Sequence, residues 1–201
     1  MSLRDPNAFR PKRVAMVIAN PAVSTTTGWP VGFWWSELTH PYYEFTEAGY
    51  AVEIFSPAGG KCEADAMSDP RDASGYSASD LISMGFIATP KLAALVEETQ
   101  PVASLDVEKF DAIVVAGGQA PMFTFETATD LHAKFSEFFN AGRIAAALCH
   151  GVAVLRYATW LAGNRGLLSE PLVWTAISKL LEVTRVMRAS LASRDTSTNT
   201  Q

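Results

Sequence analysis

The sequence predicts an α/β domain whose mostly parallel central sheet is covered by helices on both faces. Three observations carry that expectation. Short, almost wholly apolar runs stop at turn residues, as strands buried on both faces do. Segments with helical spacing of apolar positions lie between them. Glycine turns follow the strands, the grammar of an open parallel sheet.

The first strand is expected over 14–19 (VAMVIA), which follows Pro11-Lys12-Arg13 and stops at Asn20-Pro21. The run 51–56 (AVEIFS) is bounded by Gly49 and by Pro57-Ala58-Gly59-Gly60. A third, 111–116 (DAIVVA), runs into Gly117-Gly118, and a fourth, 144–148 (IAAAL), runs into Cys149-His150-Gly151. Helices are expected over 33–48, 90–98 and 130–140, the last closed by Ala141-Gly142 as a C-cap. The long polar connection 60–79 reads as a loop laid over one face.

Composition narrows the classes. With 201 residues, 48% apolar and 18% charged, the chain fits one domain with a sizeable core. Eleven prolines and thirteen glycines exclude collagen-like and low-complexity chains. No apolar run approaches the ~20 residues of a membrane span. The first dozen residues are polar and lack an apolar h-region, so the expectation is a cytoplasmic protein. Two cysteines make no disulfide framework, and a net charge of −5 disfavours nucleic acid. Charge is uneven: ten Lys/Arg face eighteen Asp/Glu over residues 1–150, but six face three over 151–201.

Ligands of such sheets bind at the carboxyl ends of the strands, so those turns hold the candidate site. Cys149 stands at a strand-to-helix corner between small residues, the mechanical idea of a nucleophile elbow. A helix N-terminus there is expected to favour thiolate and lower the thiol pKa. Cys62, in a polar loop with Lys61 and Glu63, has no such corner and reads as structural. Gly117-Gly118 allows amides to converge on an anion, although a Gly-Gly after a strand is more often only a turn. Glu37 lies near Trp34 and Trp35, where partial loss of water would favour its protonated form, although a solvated helix carboxylate is the plainer reading of these residues alone. It also stands three residues before His40, a spacing that places both on one helical face. A metal pair there lacks a second cluster of ligands, so no metal is expected.

Taken together, GFWWSELTHP (32–41), VVAGGQAPMFTF (114–125) and GRIAAALCHGVAVL (142–155) resemble the DJ-1/PfpI superfamily, and more narrowly its Hsp31-like branch. The similarity extends over about residues 12–158. It implies a flavodoxin-like three-layer α/β sandwich, a homodimer, and chemistry that needs no cofactor. Carried over by position, Cys149 is the elbow nucleophile, His150 its neighbouring base, and Glu37 a buried protonated acid bonded to the sulfur. The pocket for an oxyanion or substrate draws on Gly117, Gly118, Gly151 and the backbone at His150. Gln119 replaces a histidine that often follows the Gly-Gly in relatives, which alters substrate contact without removing the backbone donors.

The implied activity is that of a glyoxalase III or deglycase, turning a small reactive aldehyde such as methylglyoxal into lactate. The alternatives are a holding chaperone or thiol redox sensor of the stress response, and a peptidase or amidase of the same superfamily. After Ala158 the resemblance ends. Residues 159–192 read as a divergent or truncated end with an amphipathic helix (Val173, Ile177, Leu180, Leu181, Met187 and Leu191 on one side), and 193–201 as a disordered polar tail. The family's third catalytic acid falls in that departed stretch, and neither Glu170 nor Glu182 sits in a matching motif. Loss of the late strands is expected to leave a sheet edge uncovered.

Overall fold

The computed structural model describes residues 11–159. The amphipathic helix and the polar tail expected toward the C-terminus lie outside the described residues. The chain begins with β1 (Arg13–Val17), a small antiparallel hairpin of β2 (Ala22–Val23) and β3 (Pro30–Val31), then α1 (Trp35–Glu47) and β4 (Ala51–Ser56). It continues through α2 (Leu81–Ala88), α3 (Pro90–Glu97) and β5 (Gln100–Pro101) to β6 (Ala112–Val115). A short α4 (Pro121–Thr124), then α5 (Thr129–Asn140) and β7 (Ile144–Ala147) lead into a 3₁₀ segment, Cys149–Arg156.

The main sheet has the order β5-β4-β1-β6-β7, and every neighbouring pair is parallel. Its four longer strands follow the flavodoxin order, with the two-residue β5 added at the far edge. Side chains of β1 alternate between two cores, as a period of two requires. Val14 and Met16 pack with Leu38 of α1, Phe86 of α2 and Val96 of α3. Ala15 and Val17 pack on the opposite face with Leu131, Phe135 and Phe138 of α5. Helix, sheet and helix thus form the three layers that the sequence predicts.

The predicted strands and helices are present with ends shifted by at most two residues. The C-cap of α5 forms as read: Gly142 adopts φ 67°, and Arg143 N–H returns to the Phe138 carbonyl at 3.0 Å. Two elements differ. Just beyond the connection read as loop, where no helix is expected, α2 begins with Asp80 accepting a hydrogen bond from Ser83 N–H; its almost continuous apolar sequence hides the helical period. The segment after Cys149 is a 3₁₀ rather than an α-helix, opened by Gly151 N–H bonding the Leu148 carbonyl at 2.7 Å.

Beyond β1 the chain builds outward to β4 and β5; it then returns to add β6 and β7 on the other side. The reversal opens a crevice at the carboxyl ends of β1 and β6, where ligands of such sheets bind. Glu37 follows β1, Gly117 and Gly118 follow β6, and Cys149 follows β7.

Candidate functional site

Cys149 has φ 46°, and among the described residues no other non-glycine has a positive φ. A left-handed conformation costs an L-residue roughly 1–3 kcal/mol, so the corner must be imposed by its surroundings. Two contacts impose it. Leu148 N–H bonds the Val115 carbonyl at 2.9 Å, extending the β6–β7 ladder to the last residue before the cysteine. On the other side Gly151 is pressed against β6: a Cβ there would lie 2.6 Å from the Val115 carbonyl oxygen. The thiol is lifted out of the sheet and exposed, whereas Cys62 is buried in the core near Asn20 and Thr99.

Three successive amides after β6 point in three directions. Gly117 N–H donates to Glu37 Oε2 at 2.8 Å, and Gln119 N–H donates to Asp65 Oδ2 at 2.7 Å. Between them, Gly118 N–H is directed at the Cys149 sulfur, as is the amide of His150. Gly118 can alternate this way because it adopts φ 103°, and a Cβ on it would meet the Gly32 carbonyl oxygen at 2.5 Å. The amides of Gly117 and Gly151 are therefore taken up internally. What these two glycines give the site is close approach: a Cβ at Gly117 would sit 2.8 Å from both Glu37 Oε2 and the His150 nitrogen.

Glu37 reaches the sulfur from the first turn of α1, where it is half-buried. Pro41, one turn on, cannot donate to the Glu37 carbonyl. His40 does not join Glu37. It turns to the surface and meets Asp80 Oδ1 at 2.8 Å, so the Glu-x-x-His spacing brings no shared ligand position. Among the described residues, no three His, Cys, Asp or Glu side chains cluster as a metal ion needs. His150 sends Nδ1 to the Gly118 carbonyl at 2.9 Å.

The electrostatics overturn one expectation. Partial loss of water around the sulfur, followed by the adjoining Glu37 carboxyl, pushes the Cys149 thiol above its ordinary value. The amides of His150 and Gly118 pull the other way without prevailing. The reading that a helix N-terminus lowers this pKa assumed a regular α-helix and left out the opposing effect of the Glu37 carboxyl. The 3₁₀ segment supplies a weaker terminus, and Glu37 supplies the opposing charge.

Asp65 escaped the sequence reading. It lies in the connection read only as a polar loop, yet it is 3% exposed. Its carboxyl accepts from Gly32 N–H at 2.9 Å as well as from Gln119, tying the loop after β3 to the loop after β6. Its own amide donates to the Phe33 carbonyl at 2.7 Å. Burial pushes this carboxyl above its ordinary value, against the two amides and nearby His150. The flanking Ala64 and Ala66 are weak hints of burial, and only the fold reveals the partners.

An exposed cysteine on a strained elbow, faced by a carboxyl and two free amides at the switch point of a parallel sheet, defines a cysteine-elbow α/β sandwich. Residues 31–167 match the DJ-1/PfpI family, and the chain belongs to it. It is 29% identical over 130 residues to glutathione-independent glyoxalase hsp3101 of Schizosaccharomyces pombe, covering 65% of this chain and 52% of that protein. That name agrees with the Hsp31-like branch. The chain spans about half the length of this curated relative. The solved Rapid Encystment Protein 24 KDa of Francisella tularensis superposes with a TM-score of 0.67 at 27% identity, over 77% of this chain and 65% of that one. Glyoxalase III from Candida albicans superposes with a TM-score of 0.65 at 18% identity, over 78% and 64% respectively, a likeness of fold.

Two outcomes follow from this geometry. A Cβ at Gly32 would lie 1.8 Å from the Glu63 carbonyl oxygen, a backbone atom. Gly32→Ala should therefore cost about 3 kcal/mol or more, measured by urea unfolding. The raised carboxyl of Asp65 means the folded state holds its proton more tightly than the unfolded chain. Its contribution to stability is present below the ordinary aspartate value and is lost as pH rises through the folded one. The stability difference between wild type and Asp65→Asn should shrink correspondingly as pH rises from 4 toward 7.

Proposed function

We propose that this protein is a cysteine-dependent enzyme acting on small reactive aldehydes, of the glyoxalase type that converts methylglyoxal to lactate without glutathione. The observation that carries this reading is the convergence of the Glu37 carboxyl and the Gly118 and His150 amides on the sulfur of Cys149. The similarity to a protein named as a glutathione-independent glyoxalase supports it.

In this reading the sulfur adds to the aldehyde carbon while the thiol proton passes to Glu37. The raised thiol pKa makes an adjoining proton acceptor useful, because little thiolate stands ready at neutral pH. The oxygen of the resulting hemithioacetal gains negative charge, which the amides of Gly118 and His150 offset. A proton then moves from the former aldehyde carbon to its neighbour, carried by Nε2 of His150, while Glu37 returns the thiol proton to the neighbouring carbonyl oxygen, which becomes the lactate hydroxyl. The product is a lactyl thioester of Cys149. Water cleaves it, releasing lactate and restoring the thiol, so no electrons enter or leave.

The remaining parts belong to the same reading: Cys149 as nucleophile, His150 and Glu37 as proton carriers, a cytoplasmic homodimer as the working form. No helix among the described residues is long and apolar enough to cross a membrane. The raised thiol weighs against a redox sensor, since oxidation follows thiolate character.

The test is lactate formation from methylglyoxal with no glutathione added. Cys149→Ser should abolish turnover while leaving the unfolding midpoint nearly unchanged. Glu37→Gln should lower kcat about 10²–10⁴-fold, with the Cys149 thiol still alkylated by iodoacetamide. A folded wild-type protein that forms no lactate overturns the reading.

A further inference from the structure

We infer that Asp65 is a positioning residue, which fixes the ring of His150 through the peptide group joining Gly118 to Gln119. One planar unit connects the two side chains. Its N–H, on Gln119, donates to Asp65 Oδ2 at 2.7 Å, and its C=O, on Gly118, receives Nδ1 of His150 at 2.9 Å. A carbonyl oxygen can only accept, so the Nδ1 contact is a hydrogen bond only when Nδ1 carries the proton. In the neutral ring Nε2 is then bare and able to take up a proton. The hydrogen bond made by one ring nitrogen sets which of the two is protonated.

Four features make the unit a device rather than a coincidence of packing. Asp65 is buried, with both carboxyl oxygens engaged by amides, so its orientation is fixed. Negative charge on the N–H side of a peptide strengthens the carbonyl as an acceptor, because hydrogen bonds in series polarise one another. Gly118 holds the peptide in an orientation, φ 103°, that other residues rarely adopt. Asp65 is itself braced: its carbonyl accepts from Ser68 Oγ at 2.7 Å, and that oxygen accepts from Trp35 N–H at 3.2 Å. Among the described residues, the titratable groups near His150 are Cys149 beside it, Glu37 from α1 and Asp65 from the long connection. Of these, Asp65 acts on the ring through the peptide.

The consequence for turnover rests on the glyoxalase reading; the state of the ring does not. The experiment therefore has two arms. In the first, ¹⁵N spectra of histidine-labelled protein are taken where the rings are neutral, with His150 assigned by its loss in His150→Gln. Wild type should show the Nδ1–H tautomer at His150. In Asp65→Asn the ratio of Nδ1–H to Nε2–H should fall about fivefold or more. Ser68→Ala loosens the same loop but keeps the carboxylate and both its amide donors; it should lower stability and move the ratio much less than Asp65→Asn does. An Nε2–H ring in wild type, or an unchanged ratio in folded Asp65→Asn, overturns the inference. Should Asp65→Asn fail to fold, wild type still decides. The Gln119 amide proton and the His150 ring nitrogens should shift together as Asp65 titrates, and independent movement overturns the inference.

In the second arm, Asp65→Asn should lose about 10- to 100-fold in kcat, with KM changed less than about twofold. A wild type without turnover sinks the glyoxalase reading and leaves the spectra to decide this one.

Discussion

The site depends on how closely four backbone segments can approach one another. The loop after β3, the connection at 63–65, the loop after β6 and the elbow after β7 meet with almost no side chain between them. Glycine makes each approach feasible: Gly32 against Glu63, Gly117 against Cys149 and His150, Gly118 against Gly32 and Phe33, Gly151 against Val115 and Ala116. Bare backbone brings polar groups into the crevice at high density, and each of them needs a partner. Hydrogen bonds across the segments provide those partners. Phe33 N–H meets the Glu63 carbonyl, and Ala120 N–H meets the Gly32 carbonyl. The sulfur of Cys149 is thus held within a lattice of peptide groups rather than a pocket of side chains.

Within that lattice the two carboxyls divide the work. Glu37 and Asp65 take the first and third amides of the β6 loop, and the second faces the sulfur. Neither carboxyl is merely tolerated. Glu37 is close enough to oppose the negative charge that a nucleophilic sulfur must acquire, and the amides of Gly118 and His150 counter it. A thiol balanced in this way is exposed to solvent yet held back from ionising.

Much of this was legible in the sequence. Apolar runs ending in Gly117-Gly118 and Cys149-His150 announce strands and their carboxyl-end turns, since a strand buried on both faces has no other way to be written. Cys149 was readable for the same reason: small residues on either side leave room for a corner. Two things were not readable. The direction of the thiol pKa depends on Glu37, 112 positions upstream, and on the winding after the cysteine, neither of which periodicity reports. Asp65 belongs to a segment with neither strand nor helix pattern, and its partners, Gly32 and Gln119, come from two other loops. Long-range backbone contacts leave almost no trace in local composition.

One feature of the sheet bears on how the protein can change. Among the described residues β7 pairs on one side only, and its matched residues run from Ala112 with Ile144 to Val115 with Ala147. Three of its four side chains are alanines, which offer little grip on a neighbour. The elbow is indexed by peptide hydrogen bonds, as a vernier is by its teeth. Exchanging one small residue for another along β7 preserves that index, whereas inserting or deleting a single residue advances the thiol by about 3.3 Å and turns it to the opposite face. The strand is therefore tolerant of exchange among small residues and intolerant of any change in length.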